Sequence, residues 1–150
     1  MRLTKQTAYA IRILTHCALS GGRQVTAREI AKANHITEFN VSKIVPMLVG
    51  AGFVTSVRGR SGGLKLAKPS AQIVLGDVVR ATESTRVEAD CVGPDVVCAI
   101  RPLAPINRIL DEAWGAFIAV LDDYTLADIT DQRPGRRDSN LAALLETATH

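Results

Sequence analysis

The chain has 150 residues, 47% of them hydrophobic and 22% charged, a balance that fits one globular domain with an appendage and excludes a disordered chain. No apolar run is long enough to span a bilayer, and the start Met1-Arg-Leu-Thr-Lys-Gln-Thr lacks the apolar core of a secretory signal, so a cytoplasmic protein is expected. The net charge of +3 conceals a division: residues 1–68 carry eleven basic and two acidic residues, a local charge of +9, while the remainder holds seven basic and thirteen acidic residues, a local charge of −6. A basic front joined to an acidic back has the charge layout of a polyanion-binding module attached to something else.

A first helix is expected from Thr4 to Leu19, with Leu3, Ala10, Ile13, Leu14 and Cys17 at helical spacing and Gly21-Gly22 as its stop. Thr26 with Glu29 three residues on reads as a capping box that starts a short second helix. Asn34-His35 makes a turn whose corner Ile36 fills, and Thr37 caps a third helix from about Glu38 to Val49, stopped by Gly50 and Gly52. Two short helices joined by a tight turn form a helix-turn-helix, in which the second helix is the reader. Glu38, Asn40, Val41 and Lys43 are expected on its exposed face, Ile44, Val45 and Leu48 on its inner side, and a kink near Pro46.

The segment from Phe53 to Pro69 reads as a basic β-hairpin. Val54, Ser56 and Arg58 alternate with Thr55, Val57 and Gly59; Gly59, Gly62 and Gly63 suit a tight turn; Arg58, Arg60, Lys65 and Lys68 carry its charge. A basic hairpin beside a reader helix is a wing that grips DNA. Beyond Pro69 a helix is expected over about Ile73–Ala81, then an irregular stretch from Glu83 to Arg101. The longest helix follows, from Pro102 to about Tyr124. Its stripe of Leu103, Ile106, Leu110, Ala113, Trp114, Phe117 and Leu121 suits packing against a helix of a second subunit. A short helix or turn at 125–130 and a flexible tail close the chain. The expected class is mainly α with a small β-hairpin wing. The expected units are a winged helix-turn-helix DNA-binding domain over 1–70, a connecting helix and cysteine-bearing sensor loop over 71–101, a dimerisation helix with terminal turn over 102–130, and a tail over 131–150.

Several stretches together resemble the Rrf-two family of bacterial winged-helix regulators, the IscR, NsrR and RirA type. They are the opening Met1-Arg-Leu-Thr-Lys with Tyr9-Ala10, Ile30-Ala31, Ser56-Val57-Arg58-Gly59 with Gly62-Gly63, Leu75-Gly76-Asp77-Val78-Val79, and Tyr124-Thr125-Leu126-Ala127-Asp128. The resemblance covers roughly residues 1–130. It implies a homodimeric transcriptional regulator with a long crossed dimerisation helix, bound to a pseudo-palindromic double-stranded promoter, with the third helix in the major groove and the wing's Arg-Gly pair at the minor groove. The candidate DNA contacts are then Arg2, Lys5, Arg28 and Lys32 on phosphates, Thr37, Glu38, Asn40 and Lys43 at the reader, and Arg58, Gly59 and Arg60 on the wing.

The resemblance also implies an iron–sulfur cluster, 2Fe–2S or 4Fe–4S, in the loop before the long helix. Here Cys91 and Cys98 are the candidate metal ligands, and no thiol stands near Ala104 where a third is usual. Ala8 and Asn107 occupy positions where some relatives place an acid or a histidine as a further ligand. Cys17, Asp90, Asp95 or a group from a partner chain are the remaining donors. Three readings stay open: a cluster held by Cys91, Cys98 and non-cysteine ligands, a cluster-free thiol switch of the same pair with Arg101 nearby, and inert thiols. Cys17, on an apolar helical face, is expected to be a core thiol. His16, His35 and His150 stand apart without ligand spacing, and no nucleophile set or phosphate loop is present, so an enzyme is not expected.

Overall fold

The structure is a computed structural model and describes residues 3–57, 62–83 and 104–130. Helix α1 (Lys5–Leu19) starts at Thr4, whose hydroxyl accepts from the backbone N–H of Thr7. Ala10, Ile13, Leu14 and Cys17 recur at spacings of three and four, so they fall on one stripe and are buried. Helix α2 (Ala27–Asn34) begins with the full capping box: Thr26 accepts from the Glu29 N–H, and Glu29 accepts from the Thr26 N–H at 2.7 Å. The turn to the next helix passes through His35 in the left-handed region, at φ 52°. Ile36 is buried beneath it, and its N–H donates to the Ala31 carbonyl at 3.1 Å.

Helix α3 (Glu38–Gly50) is capped by Thr37, which accepts from the Asn40 N–H at 3.2 Å. The helix runs on through Pro46, an exposed position. Proline removes one helical hydrogen bond there and strands the carbonyl of Ser42, which lies on the solvent side where water can satisfy it. The N–H of Phe53 donates to the Leu48 carbonyl at 2.9 Å, so strand β1 (Val54–Val57) leaves α3 without slack. It pairs antiparallel with β2 (Gly63–Leu66), with Val54 opposite Leu66 and Val57 opposite Gly63. Val25 adds a short third rung: its N–H donates to Leu64 at 2.9 Å and its carbonyl accepts from Leu64 at 2.7 Å. That rung explains Gly63. A Cβ there would stand 3.0 Å from the Val25 oxygen and 3.2 Å from Gln24 Cβ, tighter than the strand spacing tolerates.

A 3-10 turn (Ser70–Gln72) leads into α4 (Leu75–Thr82), and then come α5 (Ala104–Asp122) and α6 (Leu126–Thr130). The stretch after Pro69 folds back on the front of the chain. Leu126 donates its N–H to the Ile73 carbonyl at 2.7 Å, and Leu75 donates to Tyr124 at 2.9 Å. Ile73, Val78 and Leu126 are fully buried in the same core as Ile13, Leu14, Ile30, Val41 and Leu48. The result is the expected class, a mainly helical winged fold carrying one two-stranded hairpin.

Two polar junctions tie the later helices to the earlier ones. One oxygen of Glu83, the residue that ends α4, accepts from the Thr4 N–H at 2.8 Å, from the Thr4 hydroxyl at 3.1 Å and from the Thr7 hydroxyl. Beside it Gln6 donates to the Thr82 carbonyl at 3.0 Å and touches the Met47 sulfur of α3 at 3.3 Å. At the other end, Arg80 of α4 donates to both oxygens of Asp122, holding that carboxyl below the usual carboxylate range. On α5 Ile118 is buried, Trp114 and Phe117 are half-buried with ring centroids 5.4 Å apart, and Ile109 and Val120 lie open at 54% and 58% exposure.

Candidate nucleic-acid interface

The reader helix is held by three residues at spacings of three and four. Val41, Ile44 and Leu48 are buried, so the opposite face of the first turns is free. Val41 was expected on that exposed face and is instead fully buried, because it shares the inward stripe with Ile44 and Leu48. The exposed side carries Glu38, Phe39, Ser42 and Lys43, with Asn40 half-buried at its margin. Thr37 is exposed and its hydroxyl is engaged in the cap. Arg28 on α2 lies 4.0 Å from Glu38, both well exposed, so the pair is loose and the guanidinium stays available. Lys5, the first residue of α1, is exposed, as is Lys32 on α2.

Among the basic residues of the front half, some are committed elsewhere. Arg23 pairs with Glu29 at 3.0 Å, which, after the Thr26 backbone and hydroxyl bonds, helps hold the Glu29 carboxyl down at about 2. Lys68 lies over the Phe53 ring at 5.5 Å. Arg2, Arg58, Gly59, Arg60, Cys91 and Cys98 lie outside the described residues. So do the stretch 84–103 and the tail 131–150. Of the hairpin, the described strands point Val54 and Leu64 into the core and leave Thr55, Ser56, Val57 and Lys65 exposed beside α3.

Sequence reasoning passed over Phe39. At 74% it is the most exposed large hydrophobic side chain among the described residues. Its signal was its position, two residues after an N-cap on a helix whose apolar stripe does not need it. No three His, Cys, Asp or Glu side chains come together as a metal site among the described residues. Cys17 is 2% exposed, and burial pushes its thiol up to about 11, so it is a core residue. No helix among the described residues is long and apolar enough to cross a membrane.

Residues 3–132 match a family model described as "Rrf2: Iron-dependent Transcriptional regulator". The chain belongs to the Rrf2 family. It is therefore a transcriptional regulator and not an enzyme. Protein aau3 of Rhizobium meliloti (strain 1021) is 41% identical over 135 residues, 89% of this chain and 88% of that protein. The HTH-type transcriptional regulator NsrR of Geobacillus kaustophilus (strain HTA426) is 40% identical over 139 residues, 91% of this chain and 95% of that protein. Among solved structures, the IscR of T. potens superposes with a TM-score of 0.66 at 24% identity, covering 86% of this chain and 85% of that one. The oxidized form of Staphylococcus aureus CymR does so at 0.66 and 24%, covering 87% and 97%. At that identity both structures bear on the fold. In this Rrf2 chain the helix-turn-helix and hairpin described above are the DNA-binding parts.

Proposed function

We propose that the chain is a cytoplasmic homodimer that binds a pseudo-palindromic promoter and whose affinity for it is set by the segment bearing Cys91 and Cys98. The observation that carries the DNA half is the reader face. Lys43 and Arg28 stand uncommitted beside Glu38, Phe39 and Ser42 on a helix anchored from behind by Val41, Ile44 and Leu48. Lys43 and Asn40 address base edges or the flanking phosphates, and Glu38 accepts from cytosine. Lys5, Arg2, Arg28 and Lys32 hold phosphates, and Arg58 and Arg60 reach the minor groove with Gly59 allowing the approach. Pairing of two chains along α5 is supported by the open Ile109 and Val120 on a helix that buries only Ile118 deeply among its described side chains.

The sensor is an iron–sulfur cluster ligated by Cys91 and Cys98. The chain has three cysteines, and the burial of Cys17 withdraws one of them. An all-thiolate set therefore does not fit one chain, and a cluster here needs further donors such as Asp90, Asp95 or groups from a second subunit. The same burial favours a second reading, a thiol switch. Two-electron oxidation of Cys91 and Cys98 forms one S–S bond, releases two protons and passes the electrons to a hydroperoxide-class oxidant.

Binding to the chain's own upstream DNA tests the first half. Lys43→Ala should weaken binding and flatten the salt dependence by about one unit of log–log slope. Arg58→Ala with Arg60→Ala should weaken binding at moderate salt, and unchanged binding would remove the wing assignment. Anaerobic purification with a visible spectrum, iron and sulfide counts tests the second half. Absence of all three overturns the cluster. Peroxide-induced loss of two thiols with altered promoter binding then supports the switch, and thiols indifferent to peroxide overturn it.

A further inference from the structure

Phe39 is a large aromatic side chain, 74% exposed, in the first turn of the reader helix. Nothing in the fold asks for it. The stripe that anchors α3 is Val41, Ile44 and Leu48, and Phe39 lies off that stripe beside Ser42 and Lys43, its neighbours three and four residues on. A ring held in water gains nothing from folding, so its contribution comes from a partner that covers it. The charge around it identifies the partner's class. Lys43 flanks it on the same face, and Arg28 reaches towards Glu38 next to it, a setting suited to a polyanion and unfavourable for an apolar protein surface. Within the major groove of a duplex, the one apolar group on a base edge is the C5-methyl of thymine.

We propose that Phe39 is a specificity-determining residue that packs its ring against a thymine methyl in each half-site of the operator. The proposal rests on α3 being the reader. Phe39 then discriminates thymine from cytosine or uracil by contact area, while Lys43 and Asn40 supply polar contacts on either side. A phenylalanine here also disfavours a phosphate or a bare polar edge at that place, because covering the ring with either leaves a polar group unpaired.

The test is a deoxyuridine scan. The chain's upstream DNA is narrowed by footprinting to the protected sequence. Each thymine is then replaced singly by deoxyuridine, which deletes the methyl and nothing else, and affinity is read by fluorescence anisotropy. Removing one methyl-sized apolar contact should weaken the parent protein about fourfold at one thymine per half-site, and about fifteenfold when both are replaced. Phe39→Ala should bind the thymine and deoxyuridine operators equally at that position, with the parent's preference restored in Phe39→Leu. Because Phe39 is exposed, thermal unfolding of both variants should match the parent, so a binding change reports the contact and not the fold. A parent protein indifferent to every methyl overturns the proposal. So does a Phe39→Ala variant that keeps the methyl preference, or one whose change is in subunit association. Failure of the parent protein to bind any upstream DNA instead removes the reader assignment on which the proposal stands.

Discussion

Cys17 decides how many thiols the regulator can bring to its sensor, and its environment can be measured. Burial raises its pKa from the ordinary 9.0 to about 11. Near pH 8 that lowers its thiolate fraction about a hundredfold, and the greater nucleophilicity of a more basic thiolate returns about tenfold, leaving reaction about ten times slower than for a free thiol. The sulfur borders a groove of about 500 Å³ shared with Gly21, Gly22, Lys65, Lys68 and Pro69, so reagent can approach. The side chain is still only 2% exposed, and attack must wait for local opening, which adds further protection. A Cys91→Ser, Cys98→Ser variant leaves Cys17 as the one thiol. Its alkylation by iodoacetamide near pH 8, followed by mass spectrometry, should be more than about tenfold slower in the native protein than in denaturant. The same ionisation has a stability consequence. The unfolded thiol ionises near 9.0 and the folded one near 11, so the stabilisation is full below pH 9.0 and is lost as pH rises through about 11. Cys17→Ala should lack that part of the alkaline loss. Native labelling at the denatured rate would refute the desolvation argument and return Cys17 to the set of metal donors.

Three further outcomes follow from the polar junctions and turns. Thr26→Ala removes one half of the capping box of α2 and should cost about 1 kcal/mol in urea unfolding. The Glu29 carboxyl is lowered from 4.5 to about 2, so its contribution is present above pH 4.5 and disappears as pH falls through about 2. The stability gap between parent and Glu29→Gln should therefore close on acidification, and a gap that persists at pH 2 would contradict the hydrogen-bond assignment. His35→Gly relieves a side chain held at φ 52° and should raise stability by about 1 kcal/mol, seen as a higher unfolding midpoint. Glu83→Ala strips three donors of Thr4 and Thr7 of their shared acceptor and should cost about 2 kcal/mol, with loss of amide-exchange protection concentrated at the start of α1.

Much of the fold could be read in the chain because its signals are local. The Thr26–Glu29 box, the Thr37 cap, the stripe of Ala10, Ile13, Leu14 and Cys17, and the alternation before the glycine-rich hairpin turn each depend on neighbours within a few residues. Dihedral preference and hydrogen-bond reach act over that distance. The 3-10 turn at 70–72 escaped notice because three residues carry too little periodicity to register. Val41 was misplaced for a different reason. On a short helix several apolar positions satisfy a helical stripe, and only the position of α3 against its neighbours selects which of them turns inward. Phe39 was overlooked because an aromatic residue in an apolar-rich helix reads as core until its exposure is known.

Local chemistry thus determined the helices, their caps, the basic reader and wing, and the family to which the chain belongs. Tertiary structure decided what lies far apart in sequence. It put Ile73, Val78 and Leu126 into the core of the helix-turn-helix, brought Glu83 to the start of α1, paired Arg80 with Asp122, and laid Val25 against Leu64 so that position 63 admits only glycine without strain. Those contacts join residues up to 79 positions apart, and no preference of a single residue encodes them. They form because covering the remaining apolar surface leaves the folded chain few other ways to meet itself.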